Sequence, residues 1–278
     1  MKSPSRSRAA VSPWKVLRAY NQPGLFITGT NTDIGKTTVT SALAAALTRL
    51  NVRVGVCKPV ASGCPKRGDR GAFGRLVDED MRSPDGERIG RGAGLNVADE
   101  ALMARISPLR LAAPISPHAA QRFEGRRLDW RRVAQALNYW RAKCDFLLVE
   151  GAGGWMTPLD EKPVCTVADL AAILDLPCLV VAGPCLGTIN HTWLTVNAIA
   201  QRQLTVAGVV FNAVGQPPDL GAMTAIEDFP LLTGVPVLAT LPKVKSKVKG
   251  PVPGVLVDLL EPLARSLWKQ FGKPRQSG

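Results

Sequence analysis

The stretch Gly24-Leu25-Phe26-Ile27-Thr28-Gly29-Thr30-Asn31-Thr32-Asp33-Ile34-Gly35-Lys36-Thr37 decides how this 278-residue chain is read. Residues 25–28 have the length and composition of a short buried strand, and residues 37–50, rich in Ala and Leu, those of a helix. The loop between them ends in Gly-Lys-Thr. In that setting backbone N–H groups and the positive end of the helix dipole converge on an anion. Lys36 then supplies a point charge to the β- and γ-phosphates of a nucleotide, and the Thr37 hydroxyl is placed to ligate a Mg²⁺ that bridges the same oxygens. Gly29 stands one residue ahead of the first position of G-x-x-x-x-G-K-[ST], which here is Thr30. A chance glycine-rich turn would not bring strand, helix and Gly-Lys-Thr together. The stretch predicts a site for ATP and Mg²⁺.

Outward from this loop, residues 53–57 read as a second strand that ends in Lys58-Pro59-Val60-Ala61-Ser62-Gly63. Strand, glycine loop, helix and strand open a βαβ unit. Residues 64–98, rich in Gly, Arg and Asp, read as an irregular excursion carrying a short helix. A helix is expected at 129–143, then a buried strand at 145–150 that breaks at Gly151-Ala152-Gly153-Gly154. Further strands are expected at 178–182, 207–211 and 235–240, and helices at 166–174, 190–203 and 254–271. Apolar strands alternating with amphipathic helices define an α/β protein: a single P-loop NTPase-type domain with a mostly parallel sheet covered by helices on both faces. The expected division is a basic disordered extension at 1–23, the domain at 24–242, and a basic linker with a C-terminal helix packed on the same domain at 243–278. Removing residues 1–20 is expected to leave the fold unchanged, since that stretch has no sustained apolar face.

The formal net charge of +13 raises the question of a nucleic-acid partner. Its location answers against one. Residues 1–32 hold five Lys/Arg and no acid, and residues 243–278 hold eight Lys/Arg against two acids. Charge gathered at the ends reads as solvated tails. The first 23 residues, Arg/Ser-rich and without acids, fit either an organelle transit segment or a basic extension on a cytoplasmic protein. The six cysteines form no CxxC and no zinc-ligand spacing, and several lie in apolar runs, which reads as reduced, buried thiols of the cytoplasm. No apolar run approaches the roughly 20 residues of a membrane span.

A P-loop enzyme also needs an acidic group near the metal, at the end of another strand. Glu150 closes an apolar strand and is followed at once by glycines that allow close backbone approach to a ligand. Lys58 has a similar address at the end of the second strand. There it could serve as a second positive charge on a transferring phosphoryl group, or only as a surface cation.

With the phosphate loop, the 58–63 segment and Glu150-Gly151-Ala152-Gly153-Gly154 in place, the chain closely resembles the dethiobiotin synthetase family. Ala113-Pro114-Ile115-Ser116-Pro117-His118, Thr166-Val167-Ala168-Asp169-Leu170, Leu186-Gly187-Thr188-Ile189-Asn190-His191-Thr192 and Gly208-Val209-Val210-Phe211-Asn212 extend the resemblance over residues 24–242. It implies an ATP- and Mg²⁺-dependent cyclo-ligase that converts 7,8-diaminononanoate and CO₂ into dethiobiotin, through a carbamate and a carbamic-phosphoric anhydride. Residue by residue, it implies Lys36, Lys58 and Thr32 as the catalytic groups around carbamate and γ-phosphate. Asp33, Ile34, Gly35, Lys36, Thr37, Thr38, Glu150, Gly151, Ala152, Gly153, Asn212 and Pro242 fall to the nucleotide. Thr37, Glu150 and an Asp of the excursion fall to the metal, with Asp85 the best match ahead of Asp80 and Asp99. Ser62 matches a substrate contact. Gly187, Thr188, Ile189 and Asn190 match a helix start whose amides receive the distal carboxylate of the substrate across a homodimer interface. Two positions depart from the family pattern: Asp33 where many members carry Glu, and Ala213 where a polar neighbour of the adenine contact is common.

Other P-loop classes fit less well. A ParA/MinD-type ATPase switch usually carries a lysine where this chain has Asn31, and ends its later strand with Asp-x-x-Pro. A cobyrinate amidation enzyme needs a glutaminase domain for which no room remains after residue 242. A nucleic-acid-binding P-loop protein needs its basic surface inside the domain. Membrane and nucleic-acid partners are therefore not expected.

Overall fold

In a computed structural model of the chain, residues 13–66, 78, 81–161, 164–213, 220–244 and 252–272 are described. The elements run β1 (Gly24–Gly29), α1 (Lys36–Arg49), β2 (Val54–Cys57), β3 (Val60–Ala61), α2 (Pro84–Gly92), α3 (Glu100–Ile106), β4 (Leu109–Arg110), α4 (Pro117–Glu124), α5 (Trp130–Lys143), β5 (Phe146–Glu150), β6 (Pro158–Glu161), β7 (Val164–Thr166), α6 (Val167–Leu174), β8 (Cys178–Ala182), α7 (Thr188–Gln201), β9 (Val206–Asn212), α8 (Leu220–Thr233), β10 (Val237–Leu241) and α9 (Gly254–Phe271).

Six strands form one sheet in the order β10-β9-β8-β1-β5-β2, and every pairing in it is parallel. Residues of β1, β5 and β8 are buried throughout, as strands must be when helices cover both faces of a sheet. The chain leaves β1 for β2 on one side, returns to insert β5 between them, and then crosses β1 to lay down β8, β9 and β10 on the other. The reversal at β1 is a topological switch point, and ligands of open α/β sheets bind outside the carboxyl ends of the strands there.

The expected α/β class holds, and each strand expected for the sheet lies within about two residues of its place, the ordinary uncertainty of element ends. The small pairs β3·β4 and β6·β7, and helices α3, α4 and α8, were not foreseen. The amino-terminal boundary needs correction. A 3₁₀ turn at Pro13–Val16 leads into a segment whose Leu17 and Tyr20 belong to the hydrophobic core, Tyr20 with only 2% of its surface exposed. Tyr20 N–H donates to Leu174 O (2.8 Å), and the Arg141 guanidinium lies 5.2 Å from the tyrosine ring centre and donates to Ala19 O. Two apolar side chains three apart suffice to anchor a single turn, and so short a signal leaves no periodicity to read. The packed domain therefore extends ahead of Gly24 and takes in Leu17 and Tyr20. Residues 1–12 lie outside the described residues.

This packing reverses the expectation for truncation. Tyr20→Ala should destabilise the fold by about 3 kcal/mol, the cost of emptying a buried aromatic site, and deleting residues 1–20 by at least as much. Denaturant titration of the three proteins measures this; equal midpoints would mean the segment is not bound in solution.

Candidate active site

Parallel register assembles the site. Ile27 of β1 stands opposite Glu150 of β5, and Cys57 of β2 opposite Val149. The residues that follow β1, β5 and β2 therefore emerge side by side on the carboxyl edge: the phosphate loop, Glu150-Gly151 and Lys58. Gly151 N–H donates to Ile27 O at 2.9 Å and ties the second segment to the root of the first.

The loop winds tightly because two residues take left-handed backbone, Asp33 at φ 57° and Gly35 at φ 83°. Gly29 has no room for a side chain: a Cβ there would stand 2.4 Å from Ile34 Cδ1. Gly35 is the N-cap of α1 and brings no side chain to cap it, so the first-turn amides of Lys36, Thr37 and Thr38 are presented to a ligand. Lys36 folds back over the loop and donates to Asn31 O at 2.8 Å. Asn212, at the end of β9, donates from Nδ2 to Ile34 O at 3.0 Å and so braces the loop from behind. That is a different contact from the adenine contact expected for it. Pro242 follows β10, which pairs Leu241 with Asn212, so it too stands at this edge.

Opposite the loop lies a cluster of charge. Lys58 Nζ donates to Glu150 Oε1 at 2.6 Å and to Gly151 O at 3.2 Å, and lies 3.3 Å from Asp85 Oδ2. Thr37 Oγ1 donates its one proton to Glu150 Oε1 at 2.8 Å, and Asp85 accepts from Lys58. Burial works against the charge on Lys58, but Glu150 and Asp85 outweigh it and hold its pKa above the ordinary lysine value. The Lys58 ammonium in turn holds the Asp85 carboxyl below the usual carboxylate range. Lys36 has no such partner in contact. Burial, then repulsion from Lys58, lowers it from 10.5 to about 8. Arg88, buried on α2 one turn after Asp85, adds a third cation whose charge couples to Asp85 and Glu150. Sequence reading missed it, although the i,i+3 spacing places it on the face that carries Asp85.

Of the two described acids among the candidates, Asp85 is the one brought to the phosphate loop. Asp99 instead caps α3, accepting from the amides of Ala101 and Leu102, and Asp80 lies outside the described residues. The donor set fits Mg²⁺. Glu150 Oε2 is buried with no hydrogen-bond partner. Thr37, Asp85 and Glu150 offer only hard oxygens, and Mg²⁺ is commonly held by one or two carboxylates together with substrate phosphates. Among the described residues no group of three or more His, Cys, Asp or Glu side chains is gathered, which leaves coordination places for phosphate and water.

Thr32 sits on the exposed outer lip of the loop, its N–H donating to Asn31 Oδ1. Ser62 follows β3, half-buried. Gly187 begins α7 at φ 88°, again with no side-chain cap, and leaves the amides of Ile189 and Asn190 in the first turn. Among the described residues no hydrogen bond or ion pair joins this helix start to the Lys58 cluster. Further along, His191, Leu194, Thr195 and Ala198 line an open cleft of about 450 Å³ together with Thr30, Asn31, Thr32 and residues 154–157. The cysteines are free, and no helix of the described residues is long and apolar enough to cross a membrane.

A glycine-rich loop opening into a helix at the switch point of a parallel sheet, faced by lysine, threonine and two carboxylates, defines a P-loop enzyme of the nucleoside-triphosphate-using class. Comparison with known proteins narrows this. The AAA domain family model matches residues 23–249. The ATP-dependent dethiobiotin synthetase BioD of Bacillus subtilis (strain 168) is 35% identical over 238 residues, 84% of this chain and 94% of its own length. That of Anaeromyxobacter dehalogenans (strain 2CP-C) is 40% identical over 219 residues, 79% of this chain and 89% of its own. The chain belongs to the dethiobiotin synthetase family. A ParA family ATPase from Chlorobium tepidum TLS superposes on 90% of this chain and 97% of its own with a TM-score of 0.46 and 12% identity, a likeness too weak to bear on fold or function.

Lys36 gives the site a pH signature. Its pKa falls on folding, so between about pH 8 and 10.5 the unfolded chain binds more protons than the folded one. Its contribution to stability therefore rises across that window and is flat below it. Without nucleotide, the unfolding free energy of the wild type should climb relative to Lys36→Met from pH 8 to 10; parallel curves would show an unperturbed lysine.

Proposed function

We propose that the chain is a cytoplasmic, ATP- and Mg²⁺-dependent cyclo-ligase that closes 7,8-diaminononanoate and CO₂ into dethiobiotin in biotin synthesis. The observation that carries this reading is the joining of Lys58, Glu150, Asp85 and Thr37 at the rim of the phosphate loop, in a chain whose relatives bear that activity in their names.

The chemistry asks for positioning and charge neutralisation more than for strong acid or base. One substrate amine takes up CO₂ and releases a proton, giving a carbamate. A carbamate oxygen then attacks the γ-phosphorus, the bond to ADP breaks, and a carbamic-phosphoric anhydride results. The second amine attacks the anhydride carbonyl, loses its proton, and expels phosphate as the five-membered urea closes. Lys36 and the first-turn amides of α1 bind the triphosphate. Lys58, fixed by two carboxylates, is the cation able to face the oxygen that joins carbamate to phosphorus. Thr32 orients the carbamate from the lip. Thr37, Asp85 and Glu150 would hold Mg²⁺, which when bound neutralises charge on the β- and γ-phosphate oxygens. Holding carbamate and ATP in line supplies the remainder of the acceleration.

We further infer a two-fold homodimer with composite sites, in which the 187–190 segment of one chain receives the distal carboxylate of substrate held by the phosphate loop of the other. In support, the face beside that loop exposes apolar surface: Leu186 is 83%, Leu194 62% and Met156 62% exposed, and the last two line the cleft beside Thr32. The uncapped start of α7 supplies the amides.

ATP consumption should require both diaminononanoate and bicarbonate, whereas a ParA/MinD-type switch needs neither. Lys58→Ala should lower turnover on the order of 10²–10³-fold and leave ATP affinity largely intact. Near-normal turnover would reduce Lys58 to a structural partner of Glu150, and substrate-independent hydrolysis would refute the assigned reaction.

Mixing inactive Lys36→Ala chains with inactive Gly187→Leu chains tests the composite site. With random exchange, about a quarter of wild-type activity should return, because half the dimers would hold one site without either lesion. Confirmed exchange with no recovered activity would rule the composite site out.

A further inference from the structure

Asp85 comes to the phosphate site from the least regular part of the chain, and no strand of the main sheet fixes it. What holds it is one residue behind the site. We propose that Arg110 is the positioning residue for Asp85, and through it for bound Mg²⁺; this rests on the reading of Asp85 as a metal ligand. Arg110 lies on β4, 1% exposed. Its guanidinium donates to Ser107 O at 2.9 Å, Met81 O at 2.8 Å, Asp78 O at 3.2 Å and Glu100 Oε1 at 2.5 Å, while its own N–H donates to Asp78 Oδ1 at 2.7 Å. These partners mark the chain ends around two helices: residues 78 and 81 lead into α2, Glu100 opens α3, and Ser107 closes it.

From Met81 to Asp85 the chain has little slack. Arg82 N–H donates to Pro65 O at 2.8 Å, and Ser83 caps α2 by accepting from Gly86 N–H at 3.1 Å. Asp85 is the second residue of that helix. The other end of the brace is β4 itself, which pairs Leu109 with Val60 and Arg110 with Ala61, between Lys58 and Ser62. Arg110 thus joins, by its backbone, the segment that carries Lys58 and, by its guanidinium, the segment that leads to Asp85, the two partners of the 3.3 Å contact at the site. Nε serves Ser107 O while the two N–H groups of Nη1 are shared among Met81 O, Asp78 O and Glu100 Oε1, a planar fan that a lysine ammonium does not reproduce. Asp78 keeps Arg126 at 2.8 Å and Arg132 at 3.3 Å, so substituting Arg110 does not strand its carboxylate.

The test is Mn²⁺ binding to the ATP-loaded protein, read by electron paramagnetic resonance, beside ATP binding in EDTA. Arg110→Lys should weaken Mn²⁺ binding about tenfold, in the range for residues that orient metal ligands, with metal-free ATP affinity unchanged. Glu100→Gln, which loosens the guanidinium from a half-exposed position, should shift Mn²⁺ affinity the same way by a smaller factor. In an Asp85→Asn background Arg110→Lys should add nothing, because both changes act on one ligand. If Arg110→Lys does not fold, Glu100→Gln decides. Wild-type Mn²⁺ affinity in the folded variants, with Asp85→Asn alone impaired, overturns the positioning role. If Asp85→Asn itself binds Mn²⁺ as the wild type does, the metal assignment fails and this proposal fails with it.

Discussion

The pairing of Lys58 with Glu150 takes place where water is excluded, and the site is arranged around that fact. Glu150 is fully buried and Lys58 nearly so. Taking two such charges out of water costs several kcal/mol per ion, repaid only by close geometry and further hydrogen bonds. Both conditions are met by the sheet: register sets the strand ends side by side, and Thr37, Gly151 O and Asp85 supply the additional partners. Removing either member would leave a buried charge uncompensated, which commonly costs about 3–5 kcal/mol. Lys58 is therefore fixed in place before any ligand arrives, which is the preorganisation that phosphoryl transfer rewards.

The charge balance of the cluster differs from that of the chain. The chain is basic at its ends, but the site sets Lys36, Lys58 and Arg88 against Asp85 and Glu150. Burial, and after it repulsion from Lys58, weakens the hold of Lys36 on its proton. The negative charge of a bound triphosphate would offset that repulsion. The backbone makes a matching provision, since α1 and α7 both begin on a left-handed glycine without a side-chain cap, whereas Ser83, Asp99, Asp129 and Thr166 cap α2, α3, α5 and α6.

What could be read from the sequence follows from how local each signal is. Strand, loop and helix around Lys36 are contiguous, and Glu150 and Lys58 end apolar runs that can only be buried strands. Asp85 was found by resemblance, then brought to the loop by the packing of α2 on α1, where Ser41 Oγ donates to Arg88 O at 2.7 Å. Nothing local marks that contact. Arg110 stands beyond the 64–98 excursion in a stretch given no element, and its partners, a carboxylate and carbonyls up to 32 positions away, leave no local mark. Leu17 and Tyr20 were read as part of a tail for the related reason that two side chains make no period. The bond from Asn212 Nδ2 to Ile34 O, across 178 positions, is likewise invisible to local pattern.

The strand order has a consequence for the birth of the molecule. β1 and β2 emerge first from a ribosome, yet they never touch in the finished sheet; β5 must come between them. Until it does, both are apolar edges without a partner. At synthesis rates of about 5–20 residues per second, the interval between the end of β2 and the start of β5 lasts roughly 5–20 s. During it the nascent chain carries a phosphate loop without Glu150 beside it and two open edges suited to the wrong neighbour. Insertion of β5 pairs the facing edges of both strands and delivers Glu150 in the same step, while the other edge of β1 waits for β8.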